Sequence, residues 1–139
     1  MGVEGNKACV RRYVEEVLNK GNMEVVDDCF SPDWVYRGPF GEYKGPEAFK
    51  QMIAMMRKAF PDLHYTFDDM IGEGDKLAAR FTMTGTFKGE FMGMAPTSKQ
   101  IKMTGAYFYR FKDGKEVEAV PFIDSAVMYQ QMGITPPSQ

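Results

Sequence analysis

Asp124 lies where a strand-like run gives way to a short helical segment, Ser125–Met132. A carboxylate at such a junction can do two things. As a general base it would take a proton alpha to a carbonyl, which needs a pKa lifted above the ordinary ~3.9 by burial in an apolar setting. Val120, Phe122 and Ile123 could supply that setting, and ketosteroid isomerase shows that a modest elevation suffices. As a helix cap it would accept a backbone N–H, contributing about 1 kcal/mol and lowering the pKa instead. Arg110 and Arg37 could each hold a carbonyl or anionic oxygen through the five donors of a guanidinium, or stand solvated on a strand. Tyr107 and Tyr109 could donate hydrogen bonds into a cavity, although aromatic residues on strands more often build core or interface.

Other chemistries lack their residues. His64 is the single histidine, so a multi-histidine zinc site is impossible and no nucleophile motif accompanies it. The acidic pairs Asp27-Asp28 and Asp68-Asp69 read as solvated faces, and no glycine-rich turn has phosphate-loop spacing. No metal site is expected. A net charge of −2 with interspersed basic residues gives no patch for nucleic acid. No apolar run approaches the ~18 residues of a membrane span, and the N-terminal residues carry no signal core. Cys9 and Cys29 both fall in helical segments; two inert thiols fit a cytoplasmic protein, and the sequence leaves a disulfide open.

These candidates need elements to position them. The 139 residues suffice for one domain. Val10, Tyr13, Val14, Val17 and Leu18 repeat at helical spacing and stop at Gly21. Asn22 can cap a short second helix carrying Val25, Val26, Cys29 and Phe30, broken by Ser31-Pro32-Asp33. Trp34–Arg37 reads as a brief strand before a Gly/Pro loop. Gly45-Pro46-Glu47 opens a third helix with Phe49, Met52, Ile53, Met56 and Phe60 inward, ended by Pro61. From Leu63 to Ile123 the apolar alternation has period two, with turns at Gly72–Asp75 and Asp113-Gly114. Helices followed by a long meander imply an α+β fold with a curved antiparallel sheet around the helices. A strict Asp113-Gly114 turn would put Arg110 and Asp124 on opposite faces, a bulged one on the same face. The Pro-rich end, 134–139, is expected to fray.

The order of these elements resembles the SnoaL-like polyketide cyclases, or ester cyclases, of the nuclear transport factor 2-like superfamily. The likeness is carried by Ala59–Asp62, by Glu73–Asp75 leading to Gly85-Thr86 and Gly89–Gly93, by Pro96-Thr97, and by Tyr109–Lys115. Asp124 followed by Gln131-Met132-Gly133 matches the family's closing segment. The resemblance implies a cone-shaped α+β barrel (nuclear transport factor 2-like or cystatin-like) with a deep apolar cavity, commonly a homodimer through the sheet. It also implies ring closure by an intramolecular aldol, with Asp124 as the base and no metal or organic cofactor. Three positions depart from the family pattern: Phe87 and Arg37 where histidines are common, and Val120 in place of a tryptophan.

The expectation is a cofactor-independent cyclase or ketosteroid-isomerase-like isomerase acting on a small hydrophobic carbonyl compound. Asp124 is its base, and Arg110, Arg37, Phe87, Tyr107 and Phe122 are substrate-binding candidates. Methionines clustered around a cavity would give it a soft wall. The alternatives are a non-catalytic module for an apolar ligand, in which Asp124 is only a cap, and an assembly domain that uses the exposed sheet.

Overall fold

Each element expected from the hydrophobic periodicity is present in the computed structural model, which describes residues 2–135. Helix α1, Val3–Tyr13, continues into a π-helical segment, Val14–Asn19, and α2 spans Glu24–Cys29. Strands β1, Phe30–Gly38, and β2, Gly41–Lys44, form a hairpin before helix α3, Pro46–Ala59. Strands β3, His64–Glu73, β4, Lys76–Thr86, β5, Gln100–Lys112, and β6, Lys115–Ile123, lead to helix α4, Ser125–Met132. Of the tail expected to fray, residues 136–139 lie outside the described range.

The six strands form one sheet in the order β2-β1-β6-β5-β4-β3. β2 and β3 are free edges, so the sheet curves without closing, and the expected barrel is an open half-cone. β1 runs parallel to β6, and the remaining neighbours are antiparallel. β1 starts at Phe30, earlier than expected. Ser31-Pro32-Asp33 stays extended, because a proline without an N–H is tolerated where the β1–β6 register skips between Phe30 and Val35. The expected Gly/Pro loop includes the short strand β2.

Local chemistry explains the boundaries. Asp113 and Gly114 both take positive φ, 53° and 79°, the pairing a type I′ hairpin requires. Pro46 occupies the first turn of α3, whose buried side, Phe49, Ile53, Met56 and Ala59, keeps one-face spacing. Gly133 closes α4 in the left-handed conformation. The π-helical segment brings Asn19 alongside β3, where its side chain accepts from the Tyr65 N–H at 2.7 Å and donates to the Tyr65 carbonyl at 3.0 Å. Arg57 of α3 caps the same segment through the Leu18 and Asn19 carbonyls.

One irregularity decides what β6 presents to each side. Arg110 pairs with Glu118 and Phe111 with Glu116, leaving Val117 as an extra residue. Across this bulge Glu116 faces inward, as do Ala119 and Pro121, whereas Glu118 and Phe122 face outward. The helices pack against the inner face. The outer face leaves Ile71, Phe108 and Phe122 exposed at 66%, 53% and 59%.

Candidate functional site

The concave face encloses a cavity of about 40 Å3. Four tyrosines reach it: Tyr36 from β1, Tyr43 from β2, Tyr65 from β3 and Tyr107 from β5. Five methionines complete most of the wall: Met52, Met55 and Met56 of α3, Met83 of β4 and Met128 of α4. A void of this size holds a water or two, so a multi-ring ligand requires the wall to move. Unbranched thioether side chains can rearrange at small cost.

Each tyrosine is placed by backbone pairing. Tyr36 lies opposite Tyr43 across the β1–β2 ladder and opposite Ala119 across β1–β6. Tyr65 is held at its backbone by Asn19, and its ring stacks on Phe81 at 5.5 Å. Tyr107 pairs with Pro121 of β6 and stacks on Tyr109, with centroids 5.2 Å apart and planes within 6°. Burial pushes the phenols of Tyr36, Tyr65 and Tyr107 above their ordinary range; neighbouring phenols add to this for Tyr65 and Tyr107, whereas the hydrogen bond with Tyr107 works against it at Tyr36. They are neutral hydrogen-bond donors at physiological pH.

An open groove lies beside the cavity. The β1–β6 ladder has its last paired position at Tyr36 and Ala119, because Pro121 has no N–H to continue it. Beyond that point Pro39, Pro121, Phe122, Ile123 and Asp124 line an open groove. Pro121 and Ile123 border both groove and cavity.

Asp124 lines this groove. Its side chain is exposed, and Oδ1 accepts the Val127 N–H at 3.1 Å as the cap of α4. The expected apolar burial of this carboxylate is therefore corrected: Ile123 points inward and Asp124 follows with the outward parity. Arg110 and Asp124 share a side although the Asp113-Gly114 turn is the strict two-residue kind, because the bulge at Val117 of β6 restores the parity, but that side is the outer one. Arg110 lies 3.8 Å from Glu118, and Arg37 pairs with Glu118 and Glu42. Neither guanidinium lines the cavity. Phe122 is exposed and packs edge-on against Phe108. Phe87 is fully buried against Phe60, outside the cavity wall. Of the expected binding residues, only Tyr107 reaches the cavity.

Sequence reasoning missed Tyr36 and Tyr65. Both carried a usable signal: Tyr36 alternates with buried Trp34, and Tyr65 with buried Leu63. It also missed Glu116, which is fully buried. The Glu116 carboxyl accepts from the Tyr13 hydroxyl at 2.7 Å and from the Trp34 indole N–H at 2.8 Å. Burial pushes it up to about 8, against the pull of those two hydrogen bonds.

Among the described residues, no group of three or more His, Cys, Asp or Glu side chains is arranged to hold a metal. No described helix is long and apolar enough to cross a membrane. Cys9 and Cys29 are free thiols, the first partly exposed and the second buried.

Comparison with known proteins adds chemistry to this geometry. A family model described as SnoaL-like polyketide cyclase matches residues 8–132. The chain is 32% identical over 129 residues to the aklanonic acid methyl ester cyclase AcmA of Streptomyces galilaeus, covering 91% of this chain and 89% of that protein. It is 28% identical over 101 residues to the nogalonic acid methyl ester cyclase of Streptomyces nogalater, covering 70% and 75%. Among solved structures it is similar to AclR, a candidate hydroxylase from Streptomyces galilaeus, with a TM-score of 0.82 and 29% identity over 97% of this chain and 100% of that one.

Proposed function

Given that the chain belongs to the SnoaL-like polyketide cyclase family and is a cyclase of that kind, we propose that it closes a carbocyclic ring in a polyketide methyl ester by an intramolecular aldol reaction. The cavity takes the fused aromatic part of the substrate, and the reacting arm lies toward the groove at Pro121. Asp124 removes a proton from a carbon acidified by flanking carbonyls. The resulting enolate carbon attacks a ketone carbon of the same molecule, one C–C bond forms, and the alkoxide is protonated. Product and substrate are isomers, so the step needs no oxidant, reductant or cofactor.

The observation that carries this reading is that Pro121 and Ile123 line both the tyrosine cavity and the groove that bears Asp124. Oδ1 is occupied by the Val127 N–H, which leaves Oδ2 for the proton. Asp124 is exposed and lacks the apolar burial expected of a base, so the role rests on the acidity of a carbon flanked by two carbonyls and on the substrate covering the carboxylate when bound. The hydroxyls of Tyr36, Tyr65 and Tyr107 are neutral donors in a dry wall, suited to a ketone oxygen as it gains charge. Met52, Met55 and Met56 shift to admit the rings.

The outer sheet face supports a homodimer as the working form. Ala78, Gly105 and Ala106 floor a shallow groove flanked by Ile71 and Phe122. A second copy could set its own Phe122 into that groove about a two-fold axis. With two thiols unpaired, a reducing compartment such as the cytoplasm suits the chain.

Incubation with aklanonic acid methyl ester and nogalonic acid methyl ester, followed by chromatography and mass spectrometry, tests the reaction. A new product of unchanged mass supports it. A product that has gained one oxygen would favour the chemistry named for AclR, and unchanged substrate bound to the protein would favour a binding role.

A further inference from the structure

Glu116 is unlike the other acidic side chains of this protein. It is 0% exposed, no cation pairs with it among the described residues, and its two oxygens each take one aromatic donor, Tyr13 from α1 and Trp34 from β1. An apolar side chain here would leave the Tyr13 hydroxyl and the Trp34 indole N–H unsatisfied in the core, so the carboxyl is what holds these two donors in place.

Each arm leads in one or two steps to a tyrosine of the cavity. On one side Trp34 packs at 6.1 Å against Tyr36. It is wedged on its other faces by Phe30 and Phe49, at 4.9 and 5.2 Å. On the other side Tyr13 lies close enough to Tyr109 for the two phenols to shift each other's pKa, and the Tyr109 ring is stacked on Tyr107. Tyr36 and Tyr107 both line the cavity. The carboxyl thus sits one layer behind the donors that meet the substrate, at the point where β6, β1 and α1 converge.

We infer that Glu116 is a positioning residue for the cavity: by holding Trp34 and Tyr13 together it fixes the settings of Tyr36 and Tyr107. This rests on the cavity being the substrate site. The titratable groups around it are Tyr13 and Cys9 from α1, Cys29 from α2, and Tyr107 and Tyr109 from β5; β1 contributes the non-titrating Trp34. The Tyr13 and Tyr109 phenols stand well above their ordinary range. Neither changes charge between pH 5 and 9, whereas the Cys29 thiol is drawn below its ordinary value by the hydrogen bond with Cys9, so Glu116 is read as the part of the transition that Glu116→Gln removes.

Trp34 is the single tryptophan of the chain, and its indole N–H touches the group in question. Its fluorescence reports the state of Glu116 without any substrate. The experiment combines a pH titration of Trp34 emission with NMR of ring-labelled tyrosines in wild type, Glu116→Gln, Glu116→Leu, Tyr13→Phe and Trp34→Phe. Glutamine keeps both contacts, accepting from Trp34 and donating to the Tyr13 oxygen, but does not titrate.

In wild type the Trp34 emission and the Tyr36 and Tyr107 signals should move together, with a midpoint near 8. In Glu116→Gln the transition near 8 should be lost from the emission, and the tyrosine signals should stay at their low-pH positions; Cys29→Ser in both backgrounds removes the contribution of that thiol. Glu116→Leu should displace both tyrosines. Tyr13→Phe should shift Tyr107 more than Tyr36, and Trp34→Phe the reverse. The inference is overturned if Trp34 titrates while Tyr36 and Tyr107 stay still in wild type, or if the two arm variants perturb both tyrosines alike. Should Glu116→Leu fail to fold, the wild-type and glutamine titrations still decide. Cyclisation is scored separately: a 1 Å displacement of binding groups should lower kcat of Glu116→Leu about tenfold or more. Absence of turnover in wild type would fault the cyclase reading and leave the spectroscopic result intact.

Discussion

Glu116 and Glu118 are separated by one residue, yet the first is sealed in the core against Tyr13 and Trp34 while the second faces outward between Arg37 and Arg110. In a regular strand, positions two apart share a face. The extra residue Val117 breaks that rule. The same bulge sets β6 so that Pro121 and Ile123 border the cavity and Asp124 lines the adjoining groove.

The two roles of Asp124 separate by substitution. Asparagine caps a helix about as well as aspartate, whereas alanine costs about 1 kcal/mol. Asp124→Asn should keep the melting temperature of wild type and lose cyclisation by at least ~100-fold, the usual scale of a general base. Asp124→Ala should lose both. Thermal melts and kcat/KM on the same preparations check this; an active Asp124→Asn would reduce the residue to a cap.

Removal of one cavity hydroxyl should weaken the reaction without disturbing the fold. Tyr107→Phe keeps the stack on Tyr109 and deletes one donor. The expected loss is about 10- to 100-fold in kcat, somewhat below that of a full oxyanion-hole donor, with a small change in KM. An equal loss confined to KM would mean that the hydroxyl binds the ground state only.

The buried acid makes stability depend on pH in a direction unusual for a carboxylate. Glu116 has an ordinary value of 4.5 and is pushed up to about 8 by burial. Between these values the native state keeps a proton that the unfolded chain has lost, so stability falls as pH rises, by up to about 1.4 kcal/mol per unit. Asp62 is held below the usual carboxylate range by Thr86, so it acts only below that window. Urea melts from pH 5 to 8 should show the decline in wild type and its absence in Glu116→Gln.

Outer-face substitutions should act on assembly. Phe122→Lys places a charge where two copies would meet and should convert a dimer to monomers in sedimentation velocity. Arg110→Ala removes a half-exposed partner of Glu118 and should change stability by less than ~0.5 kcal/mol. A monomeric wild type would remove the sheet-to-sheet dimer from the account.

Much of the architecture was legible because its signals are local. Asp124, Gly133 and the apolar positions between them mark both ends of α4, and the alternation from Leu77 to Met83 fixes the inward face of β4. The site was legible only in part. Lys115-Glu116-Val117-Glu118 reads as a surface run, and nothing in it announces a bulge that buries one acid and exposes the other. Arg110 and Arg37 are typed for oxyanion binding, but pairing places them on the outer face, where their partner is Glu118. Tyr36 and Tyr65 converge only through strand order, which puts β1 beside β6 and β3 at the far edge. Periodicity gives a residue's face; it does not give the neighbours across the sheet.

The central claim is that Asp124 starts ring closure by taking a carbon-bound proton. Proton exchange at the acidic carbon of aklanonic acid methyl ester, followed by NMR in D2O, measures that step directly. The account predicts rapid deuterium incorporation or cyclisation with wild type, and exchange near the uncatalysed rate with Asp124→Asn, although the variant is folded. Exchange by Asp124→Asn at the wild-type rate would contradict it.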